Sequence, residues 1–151
     1  YSEARTMPFI SRGAEYAIRA MLDVAMVESG ALETTKEVAE HQGIPKVFLP
    51  KIVQRLVQAG LLRAHRGPAG GIALSRPPKE INLRQIIEAM DGPIALNTCL
   101  ILPSECPRLS ICPIHEMWQE TQQSLIATLE SITLAQLAAR GKELVSQQVV
   151  Y

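Results

Sequence analysis

The sequence of 151 residues lacks two features whose absence narrows the class of protein. No apolar run approaches the roughly 18 residues that a membrane span requires, so we expect no membrane-embedded segment. The start of the chain lacks the basic segment, apolar segment and cleavage site of a secretion signal. We therefore expect a soluble, cytoplasmic protein. The first methionine is Met7, which makes it a candidate start and leaves residues 1–6 as a candidate extension.

Cysteine is scarce, and the three cysteines lie in one short segment, at Cys99, Cys106 and Cys112. An odd number of closely spaced cysteines argues against a disulfide framework. Clustered thiolates in a reducing compartment commonly bind metal instead. The sequence therefore indicates a metal site more readily than a secreted, disulfide-linked fold.

Acidic residues are absent between Glu40 and Glu80, although the whole chain carries 15 acidic and 15 basic residues. The same stretch contains seven basic residues: Lys46, Lys51, Arg55, Arg63, Arg66, Arg76 and Lys79. A basic segment within a chain of zero net charge is typical of a protein that binds nucleic acid through one face. A solvated run of charge is the alternative, and the segment taken alone does not decide between the two.

The middle of the chain has the pattern of a helix-turn-helix motif. The segment ETTKEVAEHQGI predicts a short helix that begins at a threonine cap and ends at Gly43. Pro45 then opens a second helical segment, whose apolar residues recur at helical spacing: Leu49, Ile52, Val53 and Leu56. Two helices joined by a tight glycine turn are the signature of this motif.

The polar residues of the second helix face away from its apolar side. Arginine and glutamine can contact base edges, whereas lysine suits phosphates. The candidate DNA contacts on this helix are Lys46, Lys51, Gln54 and Arg55.

The segment LLRAHRGPAGGIALSRP predicts a β-hairpin that follows the second helix. Its strands are expected at Leu61 to His65 and Ile72 to Ser75, joined by a glycine-rich loop that would allow close approach to a duplex. The candidate DNA contacts here are Arg63, His65, Arg66, Gly67, Gly70 and Gly71. An ordinary solvent-facing hairpin is the alternative, but the hairpin, the helix-turn-helix pattern and the acid-free segment together favour a DNA-binding wing.

The expected fold is mainly α-helical with a small β-hairpin wing. Residues 7–91 are predicted to form a winged helix-turn-helix domain, and residues 92–115 a cysteine-rich loop. Residues 116–140 are predicted to form a long dimerisation helix and a short terminal helix, TLAQLAARG. The long helix carries a narrow apolar stripe: Trp118, Leu125, Ile126, Leu129 and Ile132. A second subunit covering this stripe is expected, with packing inside the chain as the alternative.

The cysteine-rich loop offers four metal ligands, because His115 follows Cys112 by three residues. Prolines at positions 103, 107 and 113 disfavour helix or central strand, so the loop needs another source of order. Structural zinc sites usually pair cysteines two to four residues apart, whereas the gaps here are six and five residues. The spacing favours an iron–sulfur cluster over zinc, and three free cysteines are the third possibility.

An enzyme or cluster carrier that uses Cys112 and His115 as a thiolate–imidazole pair is an alternative from another class. No acid has a clear orienting position for this pair and the sequence gives no sign of a substrate pocket, so we expect a protein that is not an enzyme.

Three segments resemble the IscR/NsrR family of bacterial winged-helix regulators: ISRGAEYAIRAMLDVA, PKVFLPKIVQRLVQAGLLRAHRGPAGGIAL and the cysteine loop ending in CPIHEMW. The resemblance implies a homodimer that binds a palindromic operator under the control of a [2Fe-2S] cluster. It implies Cys99, Cys106 and Cys112 as ligands, with His115 as the fourth ligand or, alternatively, Glu15 from the partner subunit. Some relatives lack the cysteines, so a cluster-free regulator that responds to a small molecule or a protein partner is the alternative.

Two departures from the family pattern limit what the resemblance transfers. Six residues separate Cys99 from Cys106, where better-known members have five. Pro50 lies about one turn into the predicted recognition helix, where it must either delay the start of the helix or kink it.

Overall fold

The computed structural model describes residues 8–28 and 30–148, so Met7 lies outside the described residues. The fold is mainly α-helical with one two-stranded hairpin, as expected. The helices are α1 (Arg12–Met26), α2 (Thr35–Gln42), α3 (Leu49–Gln58), α4 (Leu83–Asp91), α5 (Thr98–Ile101), α6 (Pro113–Ser131) and α7 (Leu134–Gln148). The strands β1 (Leu62–His65) and β2 (Gly71–Leu74) pair antiparallel. None of the described helices is long and apolar enough to span a bilayer.

Side-chain caps define the starts of the three helices α1, α2 and α4. The Ser11 hydroxyl accepts a hydrogen bond from the Ala14 amide at the start of α1. Thr34 and Asn82 begin α2 and α4 with capping boxes, in which the cap side chain and the third helical residue bond each other's backbone. Gly43 ends α2 in the left-handed conformation, with φ of 61°. The predicted helix-turn-helix is therefore confirmed.

Pro50 delays the recognition helix and does not kink it. Residues Lys46–Phe48 form a 3₁₀ turn, and α3 begins at Leu49, which leaves the proline in the first turn. A proline is tolerated there because the first amides of a helix have no intrahelical acceptor. The Phe48 ring packs against Tyr16 of α1, with ring centroids 5.6 Å apart, and fixes the approach to α3.

The wing matches its predicted strands to within one residue, and a third segment extends it. Leu62 pairs with Leu74 and His65 with Gly71 across the hairpin. Glu33, just before α2, forms an isolated bridge to the outer side of β2. Its amide donates to the Ile72 carbonyl at 3.0 Å, and the Ile72 amide donates back at 2.7 Å. The base of the wing is therefore attached to the helix-turn-helix.

One hydrophobic core joins the helix-turn-helix, the wing, α4 and α7. The apolar face predicted for α3 is buried, with Leu49, Ile52, Val53 and Leu56 at most 9% exposed. The largest fully buried side chains are Met21, Val38, Leu49, Leu56, Leu61, Ile72, Ile81, Ile86 and Leu134. Burying a side chain of this size contributes about 1.5–3 kcal/mol, so the core holds α3 firmly with its polar face outward.

The last helix is longer than predicted. The prediction of a short helix ending at Gly141 is wrong, because α7 continues to Gln148. Gly141 lies where a Cβ would come 2.9 Å from the Met26 sulfur, so the absence of a side chain lets α7 pack closely on α1. Thr133 caps the helix, accepting from the Gln136 amide at 3.2 Å. Tertiary packing thus outweighs the weak helix propensity of a single glycine.

The cysteine segment contains more local structure than its prolines suggested. It forms the one-turn helix α5 and two 3₁₀ turns, at Pro103–Glu105 and Leu109–Ile111. Pro103 and Pro113 each occupy the first turn of an element, where a missing amide costs little. The expectation that the prolines exclude helix from this segment is therefore wrong, because α5 lies within it and the 19-residue α6 begins at Pro113.

Candidate nucleic-acid interface and metal centre

The outer face of the recognition helix presents polar side chains to solvent. Lys51 and Gln54 of α3 are exposed, and so is Lys46 in the preceding 3₁₀ turn. These side chains project from the side opposite the buried Leu49 and Leu56. Such a helix can enter a major groove while its apolar side stays in the core.

Arg55 has a different environment from the other three candidate residues of this helix. Its side chain is half-buried, and Nη1 donates to the Met90 carbonyl at 2.6 Å. This bond caps a free carbonyl in the last turn of α4 and joins α3 to α4. One edge of the guanidinium is therefore engaged inside the domain, which gives Arg55 a structural role in addition to the predicted contact with DNA.

The wing carries its basic residues on exposed positions. Arg63 and His65 are exposed on β1, two residues apart and thus on the same face, and Arg66 follows at the start of the loop. Among the described residues, no salt bridge involves Lys46, Lys51, Arg63 or Arg66. These four charges can therefore meet phosphates without first breaking an ion pair.

The wing glycines have distinct structural causes. A Cβ on Gly70 would lie 2.2 Å from the His65 carbonyl oxygen, and one on Gly71 would lie 2.6 Å from the Glu33 carbonyl oxygen. Both positions thus require glycine for the fold itself, whatever the ligand. Gly67 has φ of 105° and open space around it, so its backbone conformation is the reason for glycine there.

The three cysteines lie along the segment that joins α4 to α6. Cys99 is in α5, Cys106 follows the first 3₁₀ turn, and Cys112 is the N-cap of α6. All three are free and half-buried. The side-chain Nδ2 atom of Asn97 donates to the Cys99 sulfur at 3.6 Å, within hydrogen-bond range for a sulfur acceptor. Cys112 makes no capping bond, so its sulfur is available and stands at the positive end of the helix dipole.

His115 is the single buried residue among the 19 residues of α6. It is 9% exposed, and its Nδ1 atom has no hydrogen-bond partner among the described residues. An unpaired buried polar atom is costly, so this nitrogen needs a ligand or a bound water. Its position one turn after Cys112 fits the predicted role in a metal centre.

The four predicted ligands are not drawn together around a single point. Within residues 8–28 and 30–148, one group of three His, Cys, Asp or Glu residues has its ligand atoms within 4.8 Å of one another, and none of the four predicted ligands belongs to it. A two-iron cluster distributes its four ligands over two metal ions, so it requires a wider arrangement than one zinc ion does. Three free thiols and an unpaired buried imidazole are ligands whose chemistry fits such a cluster.

Glu15, the alternative fourth ligand, lies in the first turn of α1, far from the cysteines in the sequence. Its side chain is 56% exposed, and Oε1 accepts from Arg19 Nη1 at 3.3 Å. An exposed ion pair of this kind is weak, so Glu15 could be offered to a partner subunit at little cost.

Sequence reasoning missed a polar cluster made by Asp23, Glu33 and His41. The His41 Nδ1 atom lies 3.0 Å from Asp23 Oδ2 and 3.0 Å from Glu33 Oε1. Burial, reinforced by Asp23, raises the pKa of Glu33 to about 7, and the hydrogen bond to Asp23 raises the pKa of His41. One signal was present: Asp23 follows Tyr16 by seven residues and so shares the buried face of α1.

Comparison with known proteins agrees with the fold. The family model of Rrf2, described as an iron-dependent transcriptional regulator, matches residues 10–140. Rv1287 of Mycobacterium tuberculosis, named as a candidate HTH-type transcriptional regulator, is 36% identical over 132 residues, which cover 85% of this chain and 80% of that protein.

Two solved structures share the architecture. CymR, the global cysteine regulator of B. subtilis, aligns with a TM-score of 0.74 and 28% identity, covering 89% of this chain and 98% of that one. IscR of T. potens aligns with a TM-score of 0.72 and 27% identity, covering 89% of each chain. The family and these relatives are regulators of transcription and not enzymes, as expected. The chain belongs to the Rrf2 family of transcriptional regulators.

Proposed function

We propose that this chain is a homodimeric, cytoplasmic regulator that binds a palindromic operator and whose affinity for DNA is set by a [2Fe-2S] cluster. The observation that carries the proposal is the unpaired, buried Nδ1 of His115, one turn after the N-cap cysteine of α6. The ligands in this proposal are Cys99, Cys106, Cys112 and His115.

The dimer is argued from α6. Of its 19 residues only His115 is buried, although the helix carries a stripe of large apolar side chains. Trp118, Leu125 and Leu129 are only half-buried, and Ile114 and Met117 near its start are 59% and 46% exposed. A long helix with an uncovered apolar stripe is stabilised when the same helix of a second copy packs against it. Such a dimer would present two winged helices to two half-sites about one helical turn apart.

The DNA contacts are divided by chemistry. Gln54 suits base edges in the major groove, whereas Lys46 and Lys51 suit the flanking phosphates. Arg63, His65 and Arg66 extend from the wing toward the adjacent backbone or minor groove.

The link between the metal centre and DNA runs through α4 and α6. The Leu96 amide donates to Gln122 Oε1 at 2.9 Å, which attaches the start of the cysteine segment to α6. Arg84 of α4 forms ion pairs with Glu88 and with Glu130 of α6. Because α4 also receives the bond from Arg55 of the recognition helix, a shift of the cysteine segment can alter the position of α3.

A bound cluster supplies a centre that responds to iron–sulfur supply, redox state or nitric oxide. Three thiols and one imidazole hold it, and a neutral imidazole in place of one thiolate raises its potential. Without the cluster, the imidazole of His115 would have no partner and the three thiols would be free, so the segment could take another position. The two states then differ in how the winged helices are spaced.

The test is anaerobic purification followed by a visible spectrum and assays of iron, sulfide and zinc on the same sample. We expect visible absorbance with about two iron and two sulfide per chain. Alanine variants at each cysteine should lose the absorbance, and His115→Ala should change it. Glu15→Gln serves as the matched control, because it should leave the spectrum unchanged if His115 is the fourth ligand.

Two other outcomes would argue against the cluster. Stoichiometric zinc without iron would indicate a structural site in the Cys₃His segment. No metal after reconstitution would favour a cluster-free regulator, with which the half-buried, free cysteines are also compatible. Salt-sensitive binding to duplex DNA is expected in all three cases.

A further inference from the structure

We propose that Asp23, Glu33 and His41 form a second site, which binds one divalent transition-metal ion such as Zn²⁺. The site lies in the winged-helix domain, outside the cysteine segment, and nothing in the proposed cluster chemistry uses it. Its three side chains come from α1, from the bridge segment before α2, and from the last turn of α2.

The geometry suits one ion. The three ligand atoms all lie within 4.8 Å of one another, with two of the separations at 3.0 Å. Tetrahedral coordination with bonds of about 2.0–2.2 Å places neighbouring ligand atoms about 3.3–3.6 Å apart. Only small side-chain movements are therefore needed to enclose an ion between them.

Hydrogen bonds within the protein do not satisfy all the polar atoms of Asp23, Glu33 and His41. The Nδ1 atom of His41 carries at most one proton, yet it faces two carboxylate oxygens at the same distance. In addition, the Glu33 side chain is 4% exposed, and its Oε2 atom has no hydrogen-bond partner in the described part of the chain. A buried, unpaired carboxylate oxygen is costly, and a cation is the ligand that satisfies both carboxylates at once.

The surroundings match those of a metal site. The Gln42 side chain donates to Asp23 Oδ1 at 2.8 Å, which orients the carboxylate and leaves Oδ2 toward the site. His41 is 56% exposed, so an ion can enter from solvent and a water can take the fourth position. Two carboxylates and one imidazole are ligands that zinc accepts.

The site is attached to the DNA-binding hairpin by the backbone of Glu33. The same residue that offers the carboxylate pairs with Ile72 of β2 through two hydrogen bonds. An ion held at this point therefore joins α1 and α2 to the base of the wing. Its binding stabilises the folded chain by a free energy that grows with the logarithm of the ratio of ion concentration to dissociation constant.

The test measures Zn²⁺ binding to the triple variant Cys99→Ala, Cys106→Ala, Cys112→Ala of this chain by equilibrium dialysis after removal of metal. This background separates the result from the cluster proposal, because the predicted thiolate ligands are absent. We expect one Zn²⁺ per chain and a higher melting temperature with the ion. Glu33→Gln and His41→Gln in the same background should each weaken binding at least about tenfold. Glu40→Gln, which changes an exposed carboxylate on the same helix, is the matched control and should bind normally.

Failure of the folded triple variant to bind Zn²⁺ would overturn the proposal, and so would binding that survives Glu33→Gln. If the triple variant does not fold, Co²⁺ added to the wild-type chain keeps the test decisive. Thiolate sites give intense charge-transfer bands, whereas an oxygen and nitrogen site gives only weak visible bands. Glu33→Gln should remove the weak bands and leave any thiolate bands in place, and unchanged weak bands would refute the site.

Discussion

Replacing Lys51 by glutamine should make DNA binding measurably less sensitive to salt. Four side chains in each subunit, Lys46, Lys51, Arg63 and Arg66, are exposed cations outside any salt bridge among the described residues. If all four meet phosphates in a dimer, about eight contacts form. The logarithm of the binding constant should then fall with the logarithm of salt concentration with a slope of about −7.

Lys51→Gln removes about two of those contacts per dimer, so the slope should become shallower by about 1.8. Between about 50 and 200 mM salt, wild-type affinity should fall about 10⁴-fold and that of the variant about 10³-fold. Fluorescence anisotropy with a mixed-sequence duplex measures both curves without knowledge of the operator. Because the substituted side chain is exposed, thermal stability should not change.

The matched control is Arg140→Gln on α7. This guanidinium is already paired with Glu143 at 2.9 Å, and it lies outside the acid-free segment. Its removal should leave the slope as in the wild type. An unchanged slope for Lys51→Gln, or an equal change in both variants, would refute the assignment of this helix face to DNA.

Three further predictions concern the fold around the interface. Gly71→Ala should destabilise the chain by about 2 kcal/mol in urea denaturation, because the new methyl group would displace the Glu33 backbone and break its two hydrogen bonds to Ile72. Gly13→Ala is the control and should be close to neutral, because its Cβ meets the flexible end of a methionine at 3.4 Å. Equal losses in the two variants would contradict the reasoning. In metal-free buffer, the wild type should lose stability as pH rises from about 4.5 to 7, since the raised pKa of Glu33 makes the native state hold a proton that the unfolded chain has released. Glu33→Gln lacks this titration, so its stability should rise relative to the wild type over the same range. A pH-independent difference would argue against it. Arg55→Ala should lower both the melting temperature and DNA affinity, whereas Gln54→Ala should lower affinity alone, and circular dichroism with anisotropy separates the two effects.

Local patterns predicted the DNA-binding half of the molecule well. The spacing of Leu49, Ile52 and Leu56 and the caps at Thr34 and Gly43 are encoded within a few neighbouring residues, and the structure confirms them. These features depend on helix periodicity and capping chemistry, which act over one or two turns.

Contacts between distant segments could not be predicted in the same way. Asp23, Glu33 and His41 lie up to 18 residues apart, and only the packing of α1 on α2 and the wing brings them together. The bond from Arg55 to the Met90 carbonyl spans 35 residues and is equally invisible in a local pattern. The length of α7 was missed for a related reason, since the helix passes through Gly141 because it packs on Met26 of α1.

The bridge between Glu33 and Ile72 gives the wing a property that a free hairpin lacks. A two-stranded hairpin in water is marginally stable, so it would have to become ordered each time it met a duplex. Because β2 is already paired to the segment before α2, the base of this wing is ordered before DNA binds. Less conformational entropy is then lost on association, and more of the energy of each phosphate contact is available as affinity.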